Sequence, residues 1–460
     1  MSTARPSLPE GSLDGARPVP LWLDTPDRPA PRPPVTGDTS VDLLIIGGGF
    51  TGLWAAVRAK ERDPGREVLL VEGDRIAEHA TGRNGGFCEA SLTHGEANGR
   101  NRWPEEYAVL EQLGAENLAA IADTVRTYDM KCSYTPGGVL KVATRPHTVA
   151  ALEPGSDGHL DQGAVRRLVD SPTYLAGRLD AEGSATVDPA RMAWELARVA
   201  ESLGVRIAEN TRVTRLRKAP DGVTAECGSA RVRADRVVLA TNVFTSLLGA
   251  RAFSVVPVYD YVLATEPLTP EQWASIGWDE PYGITDVGNQ FHYYRRTPDG
   301  RILWGGYDAI YYFGRATRAE YEQREQTHQL LARHFFETFP QLAGVRFTHR
   351  WGGAIDTCSR FSAFYGLTHS GRVAHAAGFT GLGVGASRFA ADVMLDLLAG
   401  KDTERTRLRM VRERPLPFPP EPFAWAGIQL TRRALAREDE TGQRSVWLRF
   451  LDRLGLGFAS

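Results

Sequence analysis

The chain has 460 residues, with 54 lysines and arginines against 56 aspartates and glutamates, so its formal net charge at pH 7 is -2. A charge this close to zero gives no support to a role in binding nucleic acid. The four cysteines stand far apart without a CxxC pair, which argues against both a disulfide framework and a metal site. No apolar run has the length of a membrane span and the N-terminus lacks the layout of a signal peptide, so we expect a soluble cytoplasmic protein.

Regular structure is predicted to begin near residue 41. The preceding residues include "RPAPRPPVTGDTS", which is typical of an extended arm that lies on the protein body or on a partner subunit. The apolar run "VDLLIIGGG" then predicts a buried strand, "GLWAAVRAKERD" a helix and "EVLLVEGD" a second buried strand. This order predicts a βαβ unit.

The turn between the first strand and the helix carries a dinucleotide-binding fingerprint, Gly47-x-Gly49-x-x-Gly52. Gly47 permits a tight turn, Gly49 permits close approach of a pyrophosphate, and Gly52 permits close packing of helix on strand. Glu72 ends the next strand, 20 residues after Gly52, where an acid can bind a ribose. The predicted site also includes the neighbouring residues Phe50, Thr51 and Gly73. The fingerprint does not distinguish NAD from FAD, but the lack of a second such unit is unusual for enzymes that reduce a flavin with bound NAD(P)H.

The stretch "EHATGRNGGFCEA", residues 78–90, is a second glycine-rich loop. It lacks the Gly-Lys-Ser/Thr ending of a P-loop, and it lacks a base close in sequence that would activate Cys88 as a nucleophile. A surface loop with a solvated Arg83 is the alternative interpretation.

Farther along the chain, residues 253–303 alternate apolar, aromatic and polar side chains, which predicts an antiparallel sheet. The strand, glycine turn and helix pattern then returns at "GRVAHAAGFTGLGVGASRFAADVMLDLLAG". We therefore predict an α/β protein with added antiparallel β structure, in which a discontinuous nucleotide domain contains an inserted substrate domain. The predicted boundaries are 1–40 for the arm, 41–100, 186–250 and 345–402 for the nucleotide domain, 101–185 and 251–344 for the substrate domain, and 403–460 for a helical extension.

In their order, the motifs of this chain resemble the D-amino-acid oxidase, glycine oxidase and sarcosine oxidase superfamily of FAD enzymes, most of all the branch containing gamma-glutamylputrescine oxidase. The resemblance covers roughly residues 41–400 and is carried by "DLLIIGGGFTGL…LLVEGD", "ATGRNGGF", "VVLATN", "TPDGRILWGG" and "HAAGFTGLGVGAS". It implies a two-lobed, glutathione-reductase-like FAD domain of Rossmann type, a substrate lobe over the isoalloxazine ring, and oxidation of a C–N bond in an amine or amino acid.

The resemblance also implies which residues meet FAD. Thr81 and Arg83 are expected at the phosphates, the glycine-rich backbone after them beside the ring, and Val213 at the adenine. The helix that follows the last glycine turn is expected to direct its N-terminal dipole at the flavin and to stabilise the anionic reduced ring. The full implied set is Thr81, Gly82, Arg83, Asn84, Gly85, Gly86, Phe87, Val213, Ala240, Thr241, Asn242, Gly378, Thr380, Gly381, Leu382, Gly383 and Val384.

Amine oxidation on a flavin depends mainly on geometry, so we expect the substrate site to consist of cavity walls rather than a catalytic triad. By the period of two in a strand, Tyr259 and Tyr261 share one face, as do His292, Tyr294 and Arg296, and these five are the predicted catalytic residues. Phe291, Tyr293 and Arg295 form the opposite row. Packing of these aromatics in a core is the competing interpretation. An arginine of this sheet could anchor a substrate carboxylate, and the sequence does not choose between Arg295 and Arg296.

Two departures from the resemblance affect the chemistry. Where sarcosine oxidases carry an oxygen-activating lysine, this chain has "ILWGGY" with Trp304 nearby, which leaves open an amine dehydrogenase that passes electrons to a carrier instead of an oxidase that reduces O2 to H2O2. Trp351 stands where some relatives place the cysteine that bonds the flavin, so we predict non-covalent FAD. Cys358 and His375 are interpreted as buried core residues.

Other functional classes stay open at this stage. They are a flavin monooxygenase or halogenase, and a non-catalytic flavin-binding subunit. The expected partners are a small-molecule amine and either O2 or an electron carrier, with a homo-oligomer as an open possibility.

Overall fold

The computed structural model describes residues 9–456. Its strands are β1 (Thr39–Ile46), β2 (Val68–Val71), β3 (Phe87–Glu89), β4 (Thr135–Pro136), β5 (Val139–Ala143), β6 (His159–Leu160), β7 (Ala176–Asp180), β8 (Ser184–Thr186), β9 (Arg206–Ala208), β10 (Arg215–Ala219), β11 (Gly222–Cys227), β12 (Ala230–Leu239), β13 (Val256–Thr265), β14 (Gly283–Asp286), β15 (His292–Arg296), β16 (Ile302–Gly306), β17 (Ile310–Tyr311), β18 (Phe347–Thr357), β19 (Phe364–Thr368) and β20 (Val373–Ala377). Its α-helices are α1 (Phe50–Arg62), α2 (Glu96–Arg102), α3 (Tyr107–Thr127), α4 (Gln162–Leu168), α5 (Pro189–Ser202), α6 (Pro270–Ile276), α7 (Glu325–Thr338), α8 (Gly383–Leu398), α9 (Glu404–Arg407), α10 (Arg409–Arg412), α11 (Phe423–Thr441) and α12 (Val446–Arg453). Short 3-10 helices lie at Leu21–Leu23, Ala80–Gly82, Pro146–Leu152, Thr245–Ser254, Phe313–Arg315, Ala319–Glu322 and Pro340–Leu342.

The first sheet has the strand order β10-β11-β12-β1-β2-β9, with β20 on β12 and β19 on β20. β1 runs parallel to both β2 and β12, and β12 runs parallel to β20. β1 reads as an apolar run because both of its faces are covered. Leu43 and Ile45 pack with α1, α5 and α8, whereas Leu44 and Ile46 belong to a second buried cluster that has no α-helix residue among the described ones. The predicted βαβ unit is present as β1, α1 and β2, and α1 packs against α8 and α5.

The second sheet has the order β17-β13-β16-β15-β14-β5-β7-β6, with β18 paired to β13. β14 and β5 are parallel, and the other pairs described in this sheet are antiparallel. β18 falls in the range predicted for the nucleotide domain, and it pairs with β13 of the second sheet along most of its length. A small third sheet joins β3, β8 and β4.

The described part of the N-terminal arm lies on the protein body. The side chain of Trp22 is buried, and the backbone N–H of Arg17 donates to the carbonyl oxygen of Thr348 at 2.8 Å. Arg32 pairs with Glu201 at 2.7 Å. The arm thus packs on both large sheets and on α5 rather than standing free.

Between residues 9 and 456, no helix combines the length and the apolar character that crossing a membrane requires.

Candidate active site

One cavity of about 1510 Å³ runs from the carboxyl ends of β1 and β2 to one face of the second sheet. A single small-molecule pocket measures roughly 300–1,000 Å³. The cavity therefore has room for a dinucleotide and for a second, smaller molecule.

The fingerprint glycines shape the inner end of this cavity. Gly47 has φ +113°, and a Cβ there would overlap the carbonyl oxygen of Ala240. A Cβ on Gly49 would lie 2.9 Å from the Thr81 hydroxyl, while one on Gly52 would overlap the carbonyl oxygen of Gly47. Gly47 and Gly49 line the cavity, whereas Gly52 serves the packing of α1 on β1.

Glu72 follows β2 and lines the cavity. Its carboxylate accepts hydrogen bonds from the backbone N–H of Gly48 at 2.6 Å and of Asp74 at 2.9 Å. Burial raises the pKa of Glu72, and these two N–H groups oppose that shift. The acid is thereby fixed beside the glycine turn, where a ribose of a bound dinucleotide would be recognised.

The loop 80–87 is held by its own side chains. The Asn84 amide donates to the carbonyl oxygens of Ala80 and Thr81 at 3.0 and 2.8 Å, and its oxygen accepts from the N–H of Gly86 at 2.8 Å. The Trp22 indole of the N-terminal arm donates to the carbonyl oxygen of Asn84 at 2.9 Å. The loop is therefore braced from behind while its other side lines the cavity.

Arg83 lines the cavity, but its guanidinium already has partners. It pairs with Glu322 at 2.7 Å and donates to the carbonyl oxygens of Glu78 and Gly352 at 2.8 and 3.2 Å. Glu322 thereby neutralises the positive charge of Arg83. The predicted contact of Arg83 with a phosphate would need that charge.

Most residues predicted to meet the cofactor line this same cavity. The exceptions are four glycines with packing roles, Gly52, Gly82, Gly86 and Gly378. The predicted residues that line the cavity are Gly47, Gly49, Phe50, Thr51, Glu72, Gly73, Thr81, Arg83, Asn84, Gly85, Phe87, Val213, Ala240, Thr241, Asn242, Thr380, Gly381, Leu382, Gly383 and Val384.

The five residues predicted as catalytic, by contrast, do not line the cavity; these are Tyr259, Tyr261, His292, Tyr294 and Arg296. The three tyrosines belong to a hydrophobic cluster that includes Phe335 and Phe339 near α7. The hydroxyls of Tyr294 and Tyr174 are 2.6 Å apart, and the Tyr261 hydroxyl donates to the carbonyl oxygen of Tyr321 at 2.7 Å.

The two polar members of that row are bonded to other protein groups. His292 lies 2.7 Å from the Asp286 carboxylate and 2.9 Å from His334, and Arg296 donates to the carbonyl oxygen of Trp278 at 2.8 Å. The row predicted as catalytic thus lies on the face of the strands that α7 covers, outside the cavity lining.

The opposite row brings two residues to the cavity that the sequence-based site prediction missed, Asp260 of β13 and Tyr293 of β15. The Tyr293 hydroxyl donates to Asp260 Oδ2 at 2.5 Å, and the N–H of Tyr261 donates to Asp260 Oδ1 at 2.8 Å. Burial raises the pKa of Asp260 to about 6 and raises the pKa of Tyr293 well above its ordinary value. The signal in the sequence that could have revealed this pair is an acidic residue between two tyrosines in an otherwise apolar strand.

Glycines allow this pair to form across an intervening strand. β16 lies between β13 and β15, and its Gly305 pairs with Tyr293 and with Val262. A Cβ on Gly305 or on Gly85 would lie 2.6 Å from the Tyr293 ring. The bare backbone therefore lets the Tyr293 ring cross β16 and reach Asp260, with the loop 80–87 against its other side.

Comparison with known proteins identifies the family. A family model described as FAD-dependent oxidoreductase, of DAO type, matches residues 42–397. The chain belongs to this family. Gamma-glutamylputrescine oxidoreductase of Escherichia coli K12 is 28% identical over 393 residues, which are 82% of this chain and 87% of that relative.

Two solved structures share the mixed α/β fold of this FAD-dependent oxidoreductase. Glycine oxidase from Geobacillus kaustophilus has a TM-score of 0.67 at 19% identity, over 81% of this chain and 99% of that chain. L-proline dehydrogenase from P. horikoshii has a TM-score of 0.65 at 17% identity, over 80% and 96% of the two chains. The family resemblance inferred from the motifs is confirmed.

The residues present fit FAD. The glycine cradle at Gly47 and Gly49 leaves the space that a Cβ would fill, beside the N-terminus of α1, which suits a pyrophosphate. Leu382, Gly383 and Val384 bring the N-terminus of α8 to the same cavity. Two helix N-termini therefore direct positive potential into one cavity, as an anionic cofactor requires.

Three further candidates for reactive groups are buried. Cys88 is fully buried away from the cavity, and burial raises the pKa of its thiol to about 12. The Cys358 thiol lines the cavity but donates to the carbonyl oxygen of Ser362 at 3.1 Å. His375 is buried and its pKa is lowered to about 4, and neither ring nitrogen has a hydrogen-bond partner. A core position was predicted for His375, but not the lack of partners.

Proposed function

We propose that this FAD-dependent oxidoreductase oxidises a C–N bond of an amine. The observation that carries the proposal is the buried Asp260–Tyr293 pair, which faces the same cavity as the dinucleotide fingerprint. A buried carboxylate is costly unless it serves a positive partner, and an amine substrate provides one.

We propose that FAD lies along the cavity without a covalent bond to the protein, with its adenosine end near Glu72 and its ring end near Tyr293. The fully buried Trp351 indole donates to the carbonyl oxygen of Arg83 at 2.9 Å, at the position where some relatives carry a linking cysteine. The proposed architecture is a two-lobed one, with a discontinuous Rossmann-type FAD domain based on the first sheet and a substrate domain based on the second.

When bound, FAD supplies the acceptor for a hydride from the carbon next to the substrate nitrogen. The substrate reacts as the free amine, after its ammonium form has lost a proton to solvent. As the hydride leaves, the nitrogen lone pair forms a C=N bond and positive charge develops again on the nitrogen. Asp260 stabilises this developing charge, since its carboxylate is ionised at neutral pH with a pKa of about 6. Tyr293 fixes the orientation of the carboxylate by donating to Oδ2. Water then hydrolyses the product to a carbonyl compound and a released amine or ammonia.

For the electron acceptor we propose O2, which takes two electrons and two protons to become H2O2. A dehydrogenase that delivers electrons to a carrier is the second candidate, because Trp304, which is buried outside the cavity, stands near the position of the oxygen-activating lysine. The names of the two solved relatives include an oxidase and a dehydrogenase, so the shared fold leaves the choice open.

The test is an anaerobic screen of amines with the FAD-loaded protein, in which loss of flavin absorbance is followed. The proposal expects at least one amine to bleach the flavin, and re-oxidation by air with formation of H2O2. Bleaching followed by re-oxidation only with dyes would favour the dehydrogenase. NADPH consumption without any amine would contradict the proposal and favour a flavin monooxygenase.

A further inference from the structure

The C-terminal extension, residues 403–456 of the described chain, forms one wall of the cavity. The family model ends at residue 397, so this wall lies outside the residues that the model matches. α11 contributes Ala424, Ile428 and Leu435, and α12 contributes Trp447 and Phe450. These residues are apolar, and their spacing puts each group along one side of its helix.

The extension is fixed next to the Asp260–Tyr293 pair. Asp439 of α11 accepts from the N–H groups of Asn289 and Gln290 at 2.8 and 2.7 Å, in the segment that leads into β15. Gln429 donates to the carbonyl oxygen of Tyr311 at 3.1 Å. The wall is therefore attached to the segment before β15 and to β17, which pairs with β13.

The extension offers little charge to a ligand. Among its described residues that line the cavity, Arg432 is the single charged one, and it is paired with Asp308. An apolar wall of this kind favours an apolar group, because removing such a group from water stabilises the complex.

Three cations of the described cavity lining, Arg432, Lys141 and Arg83, are each already paired with a carboxylate. Lys141 pairs with Asp180 at 2.9 Å and Arg83 pairs with Glu322 at 2.7 Å. Arg295, considered from the sequence as a carboxylate anchor, does not line the cavity and donates to the carbonyl oxygen of Val187 at 2.7 Å. Arg296, the other candidate, is likewise outside the lining. A carboxylate next to the amine would meet the like charge of Asp260.

We propose that the substrate is an amine without an adjacent carboxylate that carries a long apolar tail, and that the C-terminal extension binds this tail. The inference rests on the proposed function and specifies its substrate class. The nitrogen is held by Asp260, while the tail extends along α11 and α12.

The first test compares three compounds in anaerobic flavin reduction: butylamine, octylamine and 2-aminononanoate, which is octylamine with an added carboxylate. Each buried methylene increases affinity by roughly three- to fourfold, so the second-order rate constant for octylamine should exceed that for butylamine at least about tenfold. It should exceed the constant for 2-aminononanoate by about a hundredfold, because the added carboxylate would be buried without a partner.

The second test uses matched variants of the two helices. Ile428→Ser and Phe450→Ser change residues of the cavity wall, whereas Leu430→Ser and Val446→Ser change exposed apolar residues of the same helices outside the lining. The wall variants should lower the preference for octylamine over butylamine by about fivefold to tenfold. The control variants should keep the wild-type preference.

Calorimetric binding of 1-octanol to the same FAD-loaded proteins gives a readout that needs no oxidation. The wild type and both controls should bind 1-octanol more tightly than 1-butanol, and the wall variants should lose this difference. If amines bleach the flavin but 2-aminononanoate matches octylamine, or if wall and control variants behave alike, the inference alone is overturned. If no amine bleaches the flavin, the proposed function fails together with the amine assignment, and the octanol result still decides whether the wall binds apolar chains.

Discussion

The two faces of β13 and β15 carry similar residues and have opposite surroundings. On one face, Tyr261 and Tyr294 are covered by α7 and by aromatic neighbours, and their hydroxyls are bonded within the protein. On the other face, Asp260 and Tyr293 border the large cavity. A row of aromatic residues in a strand therefore indicates first of all that this face packs in the core. A buried acid with one hydroxyl partner at the wall of a cavity is the better sign of chemistry.

Among the substitutions that test the difference between the two faces, Asp260→Asn should have the largest effect on flavin reduction. The amide keeps the shape and still accepts from Tyr293, but it loses the negative charge opposite the developing positive charge. We expect anaerobic flavin reduction by a bleaching amine to slow by about a hundredfold to a thousandfold, with flavin content unchanged. The control is Asp299→Asn, a half-exposed acid near the turn between β15 and β16, and an equal loss in that variant would contradict the account.

A paired substitution separates the two faces directly. Tyr293→Phe removes a hydrogen bond to a charged group and should slow flavin reduction by roughly tenfold or more. Tyr294→Phe removes the bond to Tyr174 on the covered face and should lower the free energy of unfolding by about 1 kcal/mol, with flavin reduction unchanged. Reduction kinetics and denaturant unfolding of both variants check this. If Tyr294→Phe slowed flavin reduction and Tyr293→Phe did not, the active site would lie on the covered face.

A smaller effect concerns pH. Burial raises the pKa of Asp260 to about 6, and the ionised form is the active one. The second-order rate constant for flavin reduction should therefore be low below pH 6 and rise through about pH 6, a profile that reports the free enzyme. The hydrogen bond from Tyr293 lowers this pKa, so Tyr293→Phe should move the midpoint to higher pH. A profile without a step in this region would exclude Asp260 as the titrating group.

The cofactor side could be predicted from the sequence because its signals are local. Gly47, Gly49 and Glu72 lie within one βαβ unit, and glycine at such a turn has a direct steric reason. The side that faces the substrate depends on elements far apart in the chain. Alternation in β13 and β15 shows that two faces exist, but α7, which lies farther along the chain, decides which face is covered.

The contacts made by the two ends of the chain could likewise not be predicted from the sequence. The proline-rich composition indicated an extended arm, but not that the Trp22 indole would donate to the backbone of the loop 80–87. The C-terminal helices were expected as an extension, whereas their position as a cavity wall depends on contacts such as that of Asp439 with Asn289. Such contacts between distant segments leave no periodic pattern in the sequence.

The most direct test of the central claim is a crystal structure of the FAD-loaded protein with a bound amine that it oxidises slowly. The account predicts the amine nitrogen at about 2.7–3.2 Å from the Asp260 carboxylate, between Tyr293 and the flavin. An amine bound elsewhere in the cavity, with Asp260 still paired only to Tyr293 and the backbone, would contradict it.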